Sequence, residues 1–286
     1  MPTPILIEPD QAAALDEPHV FIDTRAPADY AAGHIADSVS IREVFTTLAM
    51  SSGPGLATLR DTFARLFGAA GLSGAERAIV YEDSMDTGNG QSCRGYFLLR
   101  YLGYSKVSVL HGGLQGWLAA GYPVTTRSTT ARPALFPTAV DERLMVTRDE
   151  MLAALGDARV TTLDVRDEPE WLGQASAPPG SEDPSLRKGR IPGARPLPWR
   201  RMLSGPPGQT RFRSAAEVLE LCRGIGLDPR SRVFIYCFKG ARAASTLVAL
   251  ERAGFTDVRN YFASWNEWGR APELPIEEAN PSSRLI

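Results

Sequence analysis

The chain has 286 residues, 43% of them apolar, with a formal net charge of -2. That length suits two ordinary domains, each with its own core. The near-neutral charge suits neither nucleic acid nor an anionic membrane as a partner, and no apolar run reaches the length of a membrane span.

The stretch from Met1 to Asp10 holds two acids, no base and no apolar run of signal length, so a cytoplasmic protein is expected. Cys93, Cys222 and Cys237 are widely spaced and odd in number, which argues against a disulfide framework and against a zinc cluster. His19, His34 and His111 have no ligand spacing; neither a metal nor another cofactor is expected.

In chain order, Val20-Phe21-Ile22-Asp23-Thr24-Arg25 reads as a buried strand leaving into a turn. Tyr30-Ala31-Ala32-Gly33-His34-Ile35 follows, then a second strand at Ala78-Ile79-Val80-Tyr81. The turn after it, Glu82 to Gly90, is long and acidic. Cys93 and Arg94 then stand at the start of a helix, where Cys93 reads as structural. The stretch from Pro123 to Pro137 lacks periodicity and reads as a linker.

Beyond it the same series returns. Thr162-Leu163-Asp164-Val165-Arg166 repeats the first strand, and Gly189-Arg190-Ile191-Pro192-Gly193-Ala194 follows an insert, Gln174 to Lys188, read as an exposed loop. Residues 215–223 form an amphipathic helix with Cys222 on its apolar face, stopped by Gly224 and Gly226. Val233-Phe234-Ile235-Tyr236 repeats the second strand, and the segment to Trp268 repeats the one to Trp117. Two long copies mean a duplicated domain rather than a solenoid. Apolar strands alternating with helices imply α/β domains with parallel sheets covered on both faces. The expected limits are 1–122 for a first domain, 123–140 for a linker and 141–286 for a second domain that carries the chemistry.

The copies differ where it matters. Cys237 falls opposite Glu82, and it opens the hexapeptide Cys237-Phe238-Lys239-Gly240-Ala241-Arg242 between a strand and a helix. The backbone N–H groups of such a turn, the helix start behind it, Lys239 and Arg242 favour a thiolate and an anion beside it. A cysteine at a strand end is often a small buried hydrophobe. Two cations within the next five residues argue against that here. Asp164 and Arg166 read as an ion pair holding the strand end, and Trp265 and Trp268 as packing.

These markers resemble the tandem-domain rhodaneses, the thiosulfate and 3-mercaptopyruvate sulfurtransferases. They are Asp23-Thr24-Arg25, Gly33-His34-Ile35, His111-Gly112-Gly113 to Trp117, Asp164-Val165-Arg166, Gly189-Arg190-Ile191 and the Cys237 loop. The resemblance covers nearly the whole chain. It implies two similar rhodanese-like domains, each a parallel five-stranded sheet flanked by helices, with only the second carrying a catalytic cysteine. It implies Cys237 as nucleophile, the loop residues Phe238, Lys239, Gly240, Ala241 and Arg242 as the donor site, and no cofactor.

Related phosphatases place five residues between Cys and Arg; here there are four, which resembles the sulfurtransferase loop. The resemblance implies a basic residue two positions after the cysteine in thiosulfate enzymes, and Lys239 stands there, which favours thiosulfate as the small anionic donor, with cyanide, a thiol or a protein as acceptor. Mercaptopyruvate use and a persulfide relay with little cyanide-dependent turnover stay as alternatives. The family also places an Arg shortly after the second Asp-x-Arg. Glu170 stands there, leaving Arg187, Arg190 or Arg195 to take that role, with Arg166 and Arg195 as further substrate or structural candidates.

Overall fold

Short apolar runs ending in Asp-x-Arg become central strands because both faces of the sheet are covered, so nearly every side chain must be apolar. The computed structural model describes residues 3–278, apart from 182 and 184. Strands β1 (Leu6–Ile7), β2 (His19–Asp23), β3 (Val39–Ser40), β4 (Arg77–Tyr81) and β5 (Val107–Leu110) form one sheet in the order β1-β5-β4-β2-β3, with every pair parallel. Strands β6 (Val160–Asp164) and β7 (Arg195–Pro196) belong to the second repeat. Strands β8 (Leu203–Ser204) and β9 (Arg211–Phe212) pair with each other in an antiparallel ribbon. Strands β10 (Arg232–Tyr236) and β11 (Asp257–Asn260) complete a second parallel sheet, β11-β10-β6-β7.

The first sheet has the five strands expected; the second has four. Its fifth place is held by Met145 alone, which bridges Asn260 in parallel. The residues just before it, Glu142–Leu144, are wound into a 3-10 turn and leave no extended run to pair.

Two compact units result. The first comprises Met1–Thr47, Ala57–Asp141 and Leu203–Phe212; the second comprises Leu48–Leu56, Glu142–Met202 and Arg213–Ile286. The stretch read as a linker packs on the first unit. Phe136 is buried against Tyr104 and Phe67, with ring centroids 5.4 and 5.6 Å away. The amides of Ala134 and Ala139 donate to the carbonyls of Gly68 and Leu102. Irregular backbone bonding of this kind leaves no period in the sequence.

Each unit closes its core around aromatics: Phe21, Tyr81 and Trp117 in the first, Tyr236, Tyr261, Trp265 and Trp268 in the second. Burying one such side chain stabilises by about 1.5–3 kcal/mol. The duplicated Asp-x-Arg forms the same buried clamp in both. Arg25 Nη2 donates to Asp23 at 2.7 Å and to the Gly33 carbonyl at 2.6 Å. Arg166 Nη2 donates to Asp164 at 2.6 Å and to the Gly189 carbonyl at 2.8 Å. Buried pairs of this kind fix geometry more than they add stability. Here each ties the end of a central strand to the Gly-x-Ile loop. The pairing expected of Asp164 and Arg166 is what the second unit contains.

Candidate active site

Cys237 leaves the end of β10, the central strand with β6 and β11 on either side. Its neighbours spend the loop's carbonyls. Trp265 N–H donates to the Cys237 carbonyl at 3.1 Å and Asn266 N–H to that of Phe238 at 2.9 Å. Asn260 Nδ2 donates to the Gly240 carbonyl at 3.0 Å. With these three carbonyls engaged, the loop directs Gly240 N–H onto Cys237 Sγ at 3.1 Å. Cys237 N–H donates to Ser264 Oγ, which itself donates to the Tyr261 carbonyl. Ser264 holds the left-handed conformation, φ 57°, at the start of the helix Ser264–Trp268. Strain of this kind persists only where the surroundings fix it.

Gly240 caps the helix Ala241–Arg252 with φ +83°, and a Cβ there would stand 2.7 Å from the Phe262 carbonyl oxygen. Both the backbone and the space require glycine. Ala241, Ala243 and Ala244 continue the close approach as buried small side chains.

The structure gathers Cys237, Phe238, Lys239, Gly240, Ala241 and Arg242 on this loop and helix start, with Cys237 only 1% exposed and Lys239 partly exposed. Arg242 is turned to other partners. Its Nη1 donates to Glu170 at 2.5 Å and to Asp167 at 2.9 Å, and its Nη2 to Glu170 at 2.9 Å. Burial penalises the guanidinium charge, but Glu170 and the nearby Cys237 and Asp167 more than offset this, so it stays firmly protonated. Arg242 therefore reaches the loop with its charge balanced. Glu170, at the position where the resemblance implies an Arg, is the counter-ion of the loop's own Arg.

The other candidates are held elsewhere. Arg187 donates to the carbonyls of Trp268, Gly269, Ala271 and Leu274. Arg190 pairs with Glu277 and lies 4.1 Å from the Trp171 ring centroid. Arg195 is exposed and donates to the Ile225 carbonyl. Arg166 is buried in its clamp and over the Trp265 ring at 4.5 Å. Trp265 and Trp268 are fully buried packing, each with its indole N–H on a carbonyl.

The insert from Gln174 to Lys188 is not simply an exposed loop. Ala177 and Leu186 are buried against Phe238. Arg270 ties the insert down through Asp183 at 2.6 Å and Ser185 at 2.6 Å. Its polar composition concealed those two apolar anchors. Glu267 was missed as well: Ser51 donates to it through N–H and Oγ, which fastens Leu48–Leu56 within the second unit.

Cys222 is core, its thiol pushed up to about 11 by burial. Cys93 is buried in the helix Gln91–Tyr101.

In the first unit, Glu82 ends β4 as Cys237 ends β10. Leu114 and Gln115 amides donate to the carbonyls of Glu82 and Asp83, repeating the Trp265 and Asn266 contacts. The Glu82 carboxyl fills the cradle itself. Ser92 Oγ donates to its Oε1 at 2.5 Å, while Oε2 is buried without a hydrogen bond. Burial pushes this carboxyl from its ordinary 4.5 to about 8, against the donors of Ser92, Gln91 and Gly90. The folded state then holds a proton that the unfolded state releases. This contribution to stability is full below about pH 4.5 and is lost as pH rises through about 8. Glu82→Gln is expected to flatten stability across that window, where the native slope is at most about 1.4 kcal/mol per pH unit. Denaturant melts at stepped pH test this; parallel profiles for the two proteins would contradict it.

Residues 9–120 and 147–271 each match the family model described as a rhodanese-like domain. A thiosulfate sulfurtransferase of Azotobacter vinelandii is 28% identical over 276 residues, covering 96% of this chain and 97% of that protein. A putative thiosulfate sulfurtransferase 1 of Mycobacterium bovis is 32% identical over 219 residues, 75% of this chain and 76% of that one. The sulfur carrier protein TtuD of Thermus thermophilus is 28% identical over 222 residues, 76% of each. A solved structure of EanB in complex with ergothioneine superposes with a TM-score of 0.81 at 21% identity, covering 97% of this chain and 71% of that one.

Proposed function

The chain belongs to the rhodanese-like domain family, and from that premise we propose that it moves sulfane sulfur from thiosulfate to cyanide or a thiol through a persulfide on Cys237. The observation that carries this reading is the cradle around Cys237, with Gly240 N–H on the sulfur and Lys239 on the same loop. The thiolate attacks the outer sulfur of thiosulfate. The S–S bond of the donor breaks, sulfite leaves with the bonding electrons, and a persulfide remains. Cyanide or a thiolate then attacks the terminal sulfur and releases the Cys237 thiolate. Splitting the transfer in two gives ping-pong kinetics. The amides of the loop stabilise the charge that develops on sulfur and on departing sulfite. The thiosulfate sulfurtransferases among the relatives support the same class of reaction.

With Arg242 balanced by Glu170, donor selection rests on Lys239 and the loop amides. A charge-assisted contact is worth about 1.5–3 kcal/mol. For Lys239→Ser we expect kcat/KM for thiosulfate to fall about 10- to 100-fold. Mercaptopyruvate, whose carboxylate lies farther from the transferred sulfur, should lose less. Wild type and variant are assayed side by side with both donors and cyanide, and the ratio of the two specificities is read. An unchanged ratio in a folded variant removes the case for thiosulfate preference.

A persulfide relay is the second reading, favoured by the similarity to a protein named as a sulfur carrier. In that case Cys237 would load with sulfur from a partner protein while turnover with thiosulfate and cyanide stayed very slow. The same assay on the wild type separates the two.

A further inference from the structure

The first unit contains an open cavity of about 610 Å³ at the carboxyl ends of β2 and β4, where parallel α/β sheets bind ligands. It is the counterpart, in the unit without the cysteine, of the place where the second unit carries Cys237. Three kinds of group line it. Arg42 is cationic. Asp83 and, at the rim, Asp29 are anionic. Phe45, Leu114, Leu118 and Val124 give apolar wall.

No ion pair among the described residues joins Arg42 to Asp83 or to Asp29. Arg42 Nη1 donates to the Thr24 carbonyl at 2.9 Å and to Gln91 Oε1 at 2.6 Å. Its Nε and Nη2 have no hydrogen-bond partner among the described residues, and its guanidinium lies over the Phe45 ring, 4.7 Å from the centroid. Asp83 accepts from Gln115 Nε2 on Oδ1 at 3.0 Å, which leaves Oδ2 without a partner among the described residues. Arg25, which also lines the cavity, is bound to Asp23 and lies within electrostatic reach of Asp83. A half-buried cation and a half-buried anion line one cavity with no ion pair between them, an arrangement that a ligand carrying both signs would complete.

A simple inorganic anion fits less well. The cradle that would bind it is filled by the Glu82 carboxyl, which accepts from Ser92 Oγ. The anionic end of a ligand therefore falls to Arg42.

We propose that this cavity binds a small zwitterion with an apolar body, an amino acid or dipeptide, its carboxylate on Arg42, its ammonium on Asp83 and its side chain against Phe45, Leu118 and Val124.

The test is calorimetry and ligand-observed NMR on the full chain with L-phenylalanine and L-leucyl-L-phenylalanine as probes. At least one should bind saturably, one per chain, below about 10 mM. Phenylacetate lacks the ammonium and phenethylamine the carboxylate; each should bind at least about tenfold more weakly than L-phenylalanine. Arg42→Met should weaken binding by about tenfold or more. Because Arg42 also holds the Thr24 carbonyl, Leu118→Trp provides a second variant. Leu118 is 41% exposed and lines the cavity, so Leu118→Trp should fold, narrow the cavity and weaken binding. Excess thiosulfate should leave binding unchanged. The proposal is overturned if neither probe binds, if phenylacetate or phenethylamine matches L-phenylalanine, if Leu118→Trp binds as well as wild type, or if thiosulfate displaces the probe.

Discussion

Cys237→Ser is expected to lower sulfur transfer from thiosulfate by at least about a thousandfold, with the fold intact. The hydroxyl is nearly isosteric and can still accept from Gly240 N–H, so the loop should keep its shape. What it loses is the polarisable thiolate, without which no persulfide forms. Intact-mass measurement after incubation with thiosulfate should show one added sulfur on wild type, discharged by cyanide, and none on the variant. Cys93→Ser should retain both the adduct and most turnover, and Cys222 is held as a thiol by burial. Substantial turnover by Cys237→Ser, or an adduct mapped to another cysteine, would end the assignment of Cys237 as nucleophile.

Glu170→Gln is expected to destabilise the protein by about 3–5 kcal/mol, because it removes the charge that compensates a fully buried guanidinium. Asp167 remains as a partner but is more exposed and accepts from one nitrogen only. For a unit of this size the loss corresponds to a fall in Tm of about 6–20 °C. Glu170→Asp keeps the charge on a shorter arm and should recover part of it. The variant also frees positive charge beside Cys237, so its pH–rate profile should move, which a purely structural role would not produce. A Tm within about 2 °C of wild type would show that Asp167 alone carries the pairing.

What the sequence revealed was what local chemistry dictates. The Cys237 loop, the paired Asp-x-Arg clamps and the central strands are each encoded within a few consecutive residues, and each recurs or is bounded by glycine. What it concealed depends on partners far along the chain. Arg242 looks like a donor-binding cation until Glu170, 72 positions earlier, is found against it. Ser51 is an ordinary loop serine until Glu267 accepts from it, 216 positions on. The second sheet's missing strand has a similar origin, since a 3-10 turn at Glu142–Leu144 competes with extended pairing and wins. The acidic turn after β4 reads as unable to hold an anion, and the cradle is filled instead by the Glu82 carboxyl, which burial keeps protonated up to about pH 8.

The division of the chain into units does not follow the division of the gene into repeats. Leu203–Phe212 lies in the second repeat but belongs to the first unit, where Phe212 N–H donates to His111 Nε2 at 3.0 Å and Thr210 Oγ1 to Asp86 at 2.8 Å. Leu48–Leu56 lies in the first repeat but belongs to the second unit, where Ser51 satisfies Glu267. A polypeptide severed between residues 141 and 142 would thus yield two fragments, each short of a piece that its own polar interior requires. Expressed separately, each would carry orphaned acceptors; expressed together, they would reconstitute by complementation.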